Sequence, residues 1–464
     1  MTTTPTTASR IPFPDLAARI EGTLILPGDD DFVHAAQAWN LAVPQHPCAV
    51  LHARTAADVV HAVRFAIDHS LPVSAQPGGH GATTATDGSL LIRTAALDDI
   101  WIDADARVAR VGAGVKWGQL QSALDGTGLT GLVGSSPDVT VVGFCLSGGL
   151  SWFGRAHGTG AASIRAVELV DATGAHRWVD DSTDASLMWA LRGGGGEFGI
   201  VTAMEIALVP APELTGGRLL FPVEDAPRVW QAFAEVTTVA PRELTLFASV
   251  LHFPPIPELP EEIRGRSFCA VDAVLLGGAA TLAMLLRPIA GAGTLLRSTI
   301  GALQPSAIGD VCEEPVDPTP AVTGSASLVS LDDDALTALL THASDPACGL
   351  VQAQIRHLGG AFRDDPTMPA ACGPVAGEYV AMMLAMAPVS EATAPAQAAI
   401  DVALDILQPW YAGPTTLSML GHHDGVDLAF APDTLRRLRD VKESTDPRCV
   451  VRGNFPVHGP RPTQ

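Results

Sequence analysis

The segment Gln76-Pro77-Gly78-Gly79-His80-Gly81 joins two residue types that can hold and react with a ligand. Glycines lack a Cβ, so their backbone N–H groups can face an anion at close range. A histidine closing such a turn stands beside whatever carries that anion. Two further stretches invite the same reading. One is Gly134-Ser135-Ser136-Pro137 through Val141, Gly143, Leu146, Gly148, Gly149 and Gly154 to Arg155. The other is Leu191-Arg192-Gly193-Gly194-Gly195-Gly196-Glu197-Phe198-Gly199-Ile200-Val201-Thr202. The glycines in both permit close backbone approach, either to a ligand or to a neighbouring strand.

These turns need elements that place them. Residues 30–40 read as a helix and 49–53 as a strand. Thr55 is a good N-cap for a helix over 56–69, whose apolar residues Val59, Val60, Val63 and Ile67 share a stripe. A short strand at Val73 leads into the first glycine turn. Strands follow at 90–92, 108–111, 166–170 and 200–208, with a helix opening within 112–120. From about Pro210 the glycine motifs stop. Helices at 225–239 and 281–289 alternate there with strands such as 245–251. Residues 351–361 read as a strand whose period of two puts Gln352, Gln354 and Arg356 on one face. A helix spans 435–442, ahead of Asp446-Pro447.

The three glycine-bearing segments, in this order, resemble the FAD-binding domain of the vanillyl-alcohol-oxidase superfamily. The berberine-bridge-enzyme-like branch is the nearer match, with a usual first loop R-S/G-G-G-H. The resemblance implies an α+β fold: a two-part FAD-binding domain of the vanillyl-alcohol-oxidase type with an inserted α+β substrate domain, an antiparallel sheet covered by helices. Its expected limits are a flexible tail at 1–10, FAD-binding residues 11–205, a substrate-binding part at 206–410 and a return at 411–464. It further implies FAD held covalently through its 8α-methyl on His80. The expected cofactor contacts are Gln76, Pro77, Gly78, Gly79, His80, Gly81, Ser135, Ser136, Pro137, Val141, Gly143, Leu146, Gly148, Gly149, Gly154, Gly199, Ile200, Val201 and Asn454.

The departures are informative. The family's Cys-Pro pair, whose cysteine often bonds flavin C6, is here Ser136-Pro137. A serine hydroxyl is a poor nucleophile at neutral pH, so no cysteinyl bond is expected. Cys145 does not align with that position and reads as a buried small hydrophobe. The family's Tyr-x-Asn, whose tyrosine can deprotonate substrate, is missing from Gly413–Met419, and the chain has only two tyrosines. The replacement bases to consider are His422, His423, Glu378 and Tyr379, with Gln354 on the substrate-facing strand. The resemblance therefore implies an FAD-dependent oxidase acting on an organic, secondary-metabolite-like substrate with O2 as acceptor. Two alternatives stay open: an internal monooxygenase acting on a polyketide-like intermediate through an oxygenated flavin, and a flavin-containing protein that sequesters a metabolite for resistance.

Bulk properties bound these readings. With 464 residues, two domains are the prior, and 47% hydrophobic against 17% charged content fits a packed globular protein. A net charge of −22 argues against nucleic acid or an anionic membrane as partner, and reads otherwise as a solubility feature. The Thr-rich start has no basic n-region or apolar h-region, and no stretch is long enough for a membrane span. Seven scattered cysteines without a C-x-x-C pair suggest reduced thiols in a cytoplasmic protein and no metal site. A monomer or homodimer is expected.

Overall fold

The computed structural model describes residues 11–364 and 368–459; the expected tail at 1–10 lies outside them. The first unit begins with strands Thr23–Ile25, Ala49–His52, Val73–Ala75 and Leu90–Arg93 in one four-stranded sheet. The last three run parallel, with Leu90–Arg93 between the other two. Helix Ala56–His69 packs over this sheet, burying Val59, Ala62, Val63 and Ala66. Its start is set by Thr55, which accepts a hydrogen bond from the Asp58 amide while Asp58 caps back on Thr55. A reciprocal cap of this kind is worth about 1 kcal/mol.

A second, five-stranded antiparallel sheet follows, in the order Ile100–Asp103, Val108–Gly112, Ile200–Ala207, Ile164–Val170, His176–Val179. Its core is built around the buried Trp117, Trp152, Phe153 and Leu191. The third sheet has nine strands drawn from Thr215 to Gly413, all paired antiparallel. Helices Ala226–Val239, Ala279–Ala290, Asp333–Ala343 and Thr393–Leu407 cover one face of it. The large sheet thus begins and ends a few residues later than the 206–410 span. Val209–Pro210 still pairs with Leu129–Thr130 of the first unit, and Tyr411–Gly413 is an edge strand of the large sheet.

Helix Pro432–Thr445 carries the chain back. Its buried Lys442 donates to the carbonyls of Glu197 and Val451, each at 2.7 Å, and to Asp446 Oδ2 at 2.8 Å. Asp446 in turn accepts the amides of Val450 and Val451. Val73 then donates its amide to Val450 O and accepts the Arg452 amide, adding the returning chain to the edge of the first sheet.

Two elements differ from expectation. The helix foreseen at 30–40 is only Phe32–Ala36. Trp39 donates its amide to Gly78 O, and Asn40 exchanges side-chain bonds with the backbone of Ala321. These tertiary bonds satisfy groups that a longer helix would have used. The strand foreseen to Ala361 ends at His357, because Gly359 and Gly360 turn the chain with φ of +70° and +56°. Among the described residues no helix is long and apolar enough to cross a membrane, and no cluster of three His, Cys, Asp or Glu could hold a metal.

Candidate active site

The first glycine turn leaves strand Val73–Ala75 and is strapped from three sides. Gln76 is buried, donates to Asn454 Oδ1 at 2.9 Å and accepts from the buried Arg93 at 3.2 Å. Thr83 donates its hydroxyl to Asn454 O at 2.5 Å. Gly79 has φ +91°, and a Cβ there would lie 3.1 Å from that of Ala38, so glycine is required for both conformation and space. Among the described residues, the amides of Gly78, Gly79, His80 and Gly81 donate to no protein acceptor. A row of unpaired amides on one turn is a cradle for an anion such as a pyrophosphate.

His80 lies at the end of that row. Its ring stacks on Trp39, with centroids 4.1 Å apart and planes 16° apart. Nε2 is buried and has no hydrogen-bond partner. Burial lowers the imidazole to about 4, outweighing the opposing pull of Asp138, with Lys116 adding to the depression. At neutral pH the ring is uncharged, so its 3.8 Å approach to Asp138 Oδ2 is a polar contact and not an ion pair.

The second loop comes from Ser135 to Ser147 and includes helix Val141–Leu146. Val141 and Leu146 turn their side chains into the core, so only their backbone faces a ligand. Leu146 O accepts the Gly195 amide at 2.8 Å, which joins this loop to the four-glycine string. The Ser136 hydroxyl accepts the Asp138 amide at 3.3 Å within its own turn. Cys145 is fully buried, and burial pushes its thiol up to about 12.

Ile200 and Val201 pair with Val170 and Leu169 on one edge only, since strand Val108–Gly112 engages Ala203–Ala207. Their other backbone edge pairs with no strand among the described residues. Gly154 is a correction. A Cβ there would lie 1.8 Å from the ring of Phe362, so this glycine seats the neighbouring domain and does not line a ligand space. Arg192 serves structure too: it is fully buried, paired bidentately with Asp181 and bonded to Ile164 O.

The uncovered face of the large sheet looks towards these loops. Gln354 and Arg356 share it with Ser249 and Phe247, matching the period-two expectation. Gln354 donates to Ser249 Oγ at 3.0 Å and accepts from Arg356 Nε at 2.6 Å. Arg356 lies 4.6 Å over the Phe247 ring, and Phe247 stacks at 3.9 Å on Trp152, which follows the second loop. Leu150, Val380, Met419 and the half-buried Met382 form an apolar wall beside this row.

The candidate bases separate. Tyr379 points into the opposite, helix-covered face, where its hydroxyl shares a 2.7 Å hydrogen bond with Thr237. It is a core residue, and the expectation that it faces substrate is corrected. Glu378 pairs with Arg363 at the rim. His423 is exposed. His422 belongs to the segment that crosses strand Ala321–Leu328. There a Cβ on Gly421 would meet Thr323 O, and Met419 O accepts from Ser325. Both ring nitrogens of His422 are buried without a partner, and burial, then the adjacent His423, lowers it to about 4.

Arg155 escaped the sequence reading as a site residue. It donates from the short helix Gly154–His157 to Leu244 O at 2.8 Å, to Ala240 O and Pro241 O, and to His357 and Leu358 O. It clasps the two domains together. Burial and then Arg155 press His357 down to about 2. Trp39, Lys116 and Asp138 were also missed, because their meeting at His80 is made by tertiary contacts between distant segments.

The arrangement is a nucleotide cradle facing a sheet-borne pocket wall, the layout of a flavoprotein. Residues 47–180 match the family described as an FAD binding domain. An FAD-dependent monooxygenase of Fusarium proliferatum is 36% identical over 211 residues, covering 44% of this chain and 41% of that protein. (R)-6-hydroxynicotine oxidase of Paenarthrobacter nicotinovorans is 33% identical over 195 residues, covering 42% of this chain and 43% of that protein. The chain thus spans under half the length of these two relatives. The solved structure of the BBE-like 1 protein of Physcomitrella patens superposes with TM-score 0.82 over 99% of this chain and 100% of that one, at 19% identity. That of 6-hydroxy-D-nicotine oxidase from Arthrobacter nicotinovorans gives 0.79 over 93% and 96%, at 22% identity. Residues 47–180 thus carry an FAD-binding domain, and the chain shares the fold of these two solved structures.

The residues present fit FAD. The unpaired amides at 78–81 suit a pyrophosphate, the open edge at Ile200–Val201 suits a polar ring or ribityl group, and His80 keeps an unpartnered nitrogen beside them.

Proposed function

We propose that the protein is an FAD-dependent oxidoreductase that carries its flavin on His80 and oxidises a small organic substrate, with O2 as the final acceptor. The observation that supports it most is the neutral, partner-free His80 imidazole at the end of four unpaired backbone amides. When bound, FAD supplies a two-electron acceptor, and a histidyl link favours difficult oxidations by raising its potential.

The chain's own groups supply the rest. Amides 78–81 bind the anionic part of the cofactor, and the Arg93–Gln76–Asn454 chain holds their turn rigid. Leu150, Val380, Met382 and Met419 exclude water from the reacting space. Gln354, held by Ser249 and Arg356, offers a fixed polar anchor for substrate. His422, neutral above about pH 4, accepts the substrate proton in the role that the family gives to a tyrosine. The name of the (R)-6-hydroxynicotine oxidase relative agrees with an oxidase.

The test is a visible spectrum of the purified protein, then acid precipitation and intact mass. A yellow pellet carrying one added FAD is expected. A white pellet with a yellow supernatant would remove the covalent link but keep the flavin. A protein without flavin after FAD is supplied would overturn the proposal. A second reading, monooxygenation, is favoured by the name of the Fusarium proliferatum relative. Incubation with 18O2 separates the two: label in the organic product supports monooxygenation, and label in peroxide alone supports the oxidase.

A further inference from the structure

We infer that Asp138, braced by Lys116, is the residue that orients His80 and accepts its proton during flavin attachment. The inference rests on the proposed histidyl linkage and adds what selects and activates the reacting nitrogen.

An imidazole offers two nitrogens, and the fold treats them differently. Nε2 is enclosed without a hydrogen-bond partner, and Asp138 is the one carboxylate within 4 Å of it among the described residues, with Oδ2 at 3.8 Å. Nδ1 lies on the side of the glycine turn, 3.7 Å from where a Cβ on Gly78 would stand. Trp39 lies flat on the ring, and its indole is tethered to Val316 O at 3.1 Å, which opposes rotation of the imidazole. Lys116 engages Asp138 Oδ1, leaving Oδ2 turned to the ring. The carboxylate stands directly after Ser136-Pro137, at a position the family pattern leaves unspecified. Contacts between a buried base and its partner are often long without the reacting group and tighten when it binds.

A proton on Nε2 directed at a carboxylate leaves the lone pair on Nδ1. Attachment then exchanges one C–H of the flavin 8α-methyl for a C–N bond to Nδ1. The methyl gives up one hydrogen as a proton, and the Nδ1 lone pair makes the bond. The Nε2 proton passes to Asp138. The two electrons gained by the flavin go to O2, which leaves with two protons as hydrogen peroxide.

The experiment follows covalent FAD by intact mass and pellet fluorescence in the full chain during incubation with FAD. Asp138→Asn is expected to bind FAD but to attach it at least tenfold more slowly than the parent. Asp138→Glu should restore most of the rate, which a merely structural role would not predict, and Lys116→Met should fall between. Attachment by Asp138→Asn at the parent rate overturns the inference. If Asp138→Asn does not fold, failure of Asp138→Glu to attach while it still binds FAD overturns it equally. A parent protein that never becomes covalent, or covalent flavin surviving in His80→Ala, removes the linkage itself and the inference with it.

Discussion

The half-buried His80 turn and the fully buried Lys442 junction are both polar and both near the cofactor cradle, yet they are built on opposite terms. At Lys442 the ammonium has three oxygen acceptors, and Asp446 returns two backbone bonds. At His80 the amides and one ring nitrogen stay unpaired. Buried polar groups are normally satisfied, so an unsatisfied cluster is affordable only where something else completes it. Closed networks hold the fold, and open ones await a ligand.

That contrast can be broken by substitution. Lys442→Met leaves Asp446 buried beside an apolar chain and should cost about 3–5 kcal/mol, seen as a lower urea midpoint. His80→Ala removes only a ring stacked on Trp39 and should cost roughly 1 kcal/mol, while abolishing covalent flavin. Equal losses of stability would erase the distinction. Arg155→Ala strips charged hydrogen bonds from the domain boundary and should cost about 3 kcal/mol, with faster proteolysis between the domains.

The two faces of the large sheet repeat the contrast on a smaller scale. His422→Ala should lower kcat about 100-fold or more if His422 is the base. Tyr379→Phe should leave kcat nearly unchanged and cost about 1 kcal/mol through the lost Thr237 bond. The reverse pattern would return the tyrosine to the chemistry.

A further effect is in pH. His80 titrates near 4 when folded and near its ordinary value of 6.5 when unfolded. The unfolded chain therefore binds the extra proton first as pH falls. Flavin-free protein should lose stability between about pH 6.5 and 4 and then level off in this contribution. His422 and His357 act in the same direction. His80→Gln should flatten part of that slope in thermal scans.

Much of the cradle was legible because its demands are local. A glycine turn after a strand, four glycines before Phe198-Gly199 and the Thr55 cap each depend on neighbours in sequence. Asn454, expected from the sequence as a cofactor contact, bonds to Gln76 across 378 residues, a pairing that no local pattern announces. Period-two alternation put Gln354 and Arg356 on one face, but nothing in it says which face is covered by helices. That choice sent Tyr379 inward. Asp138, Lys116 and Trp39 were invisible as a set because no sequence pattern links three segments that only folding brings to one imidazole.

By itself, then, the sequence determined the class through its resemblance to a known family, and it is the glycine-rich turns that carry the resemblance, because backbone reach is a local property. The tertiary structure decided the chemistry's details. Whether a histidine is neutral, which nitrogen is enclosed and which carboxylate faces it depend on desolvation and on side chains from distant segments, and packing alone supplies both.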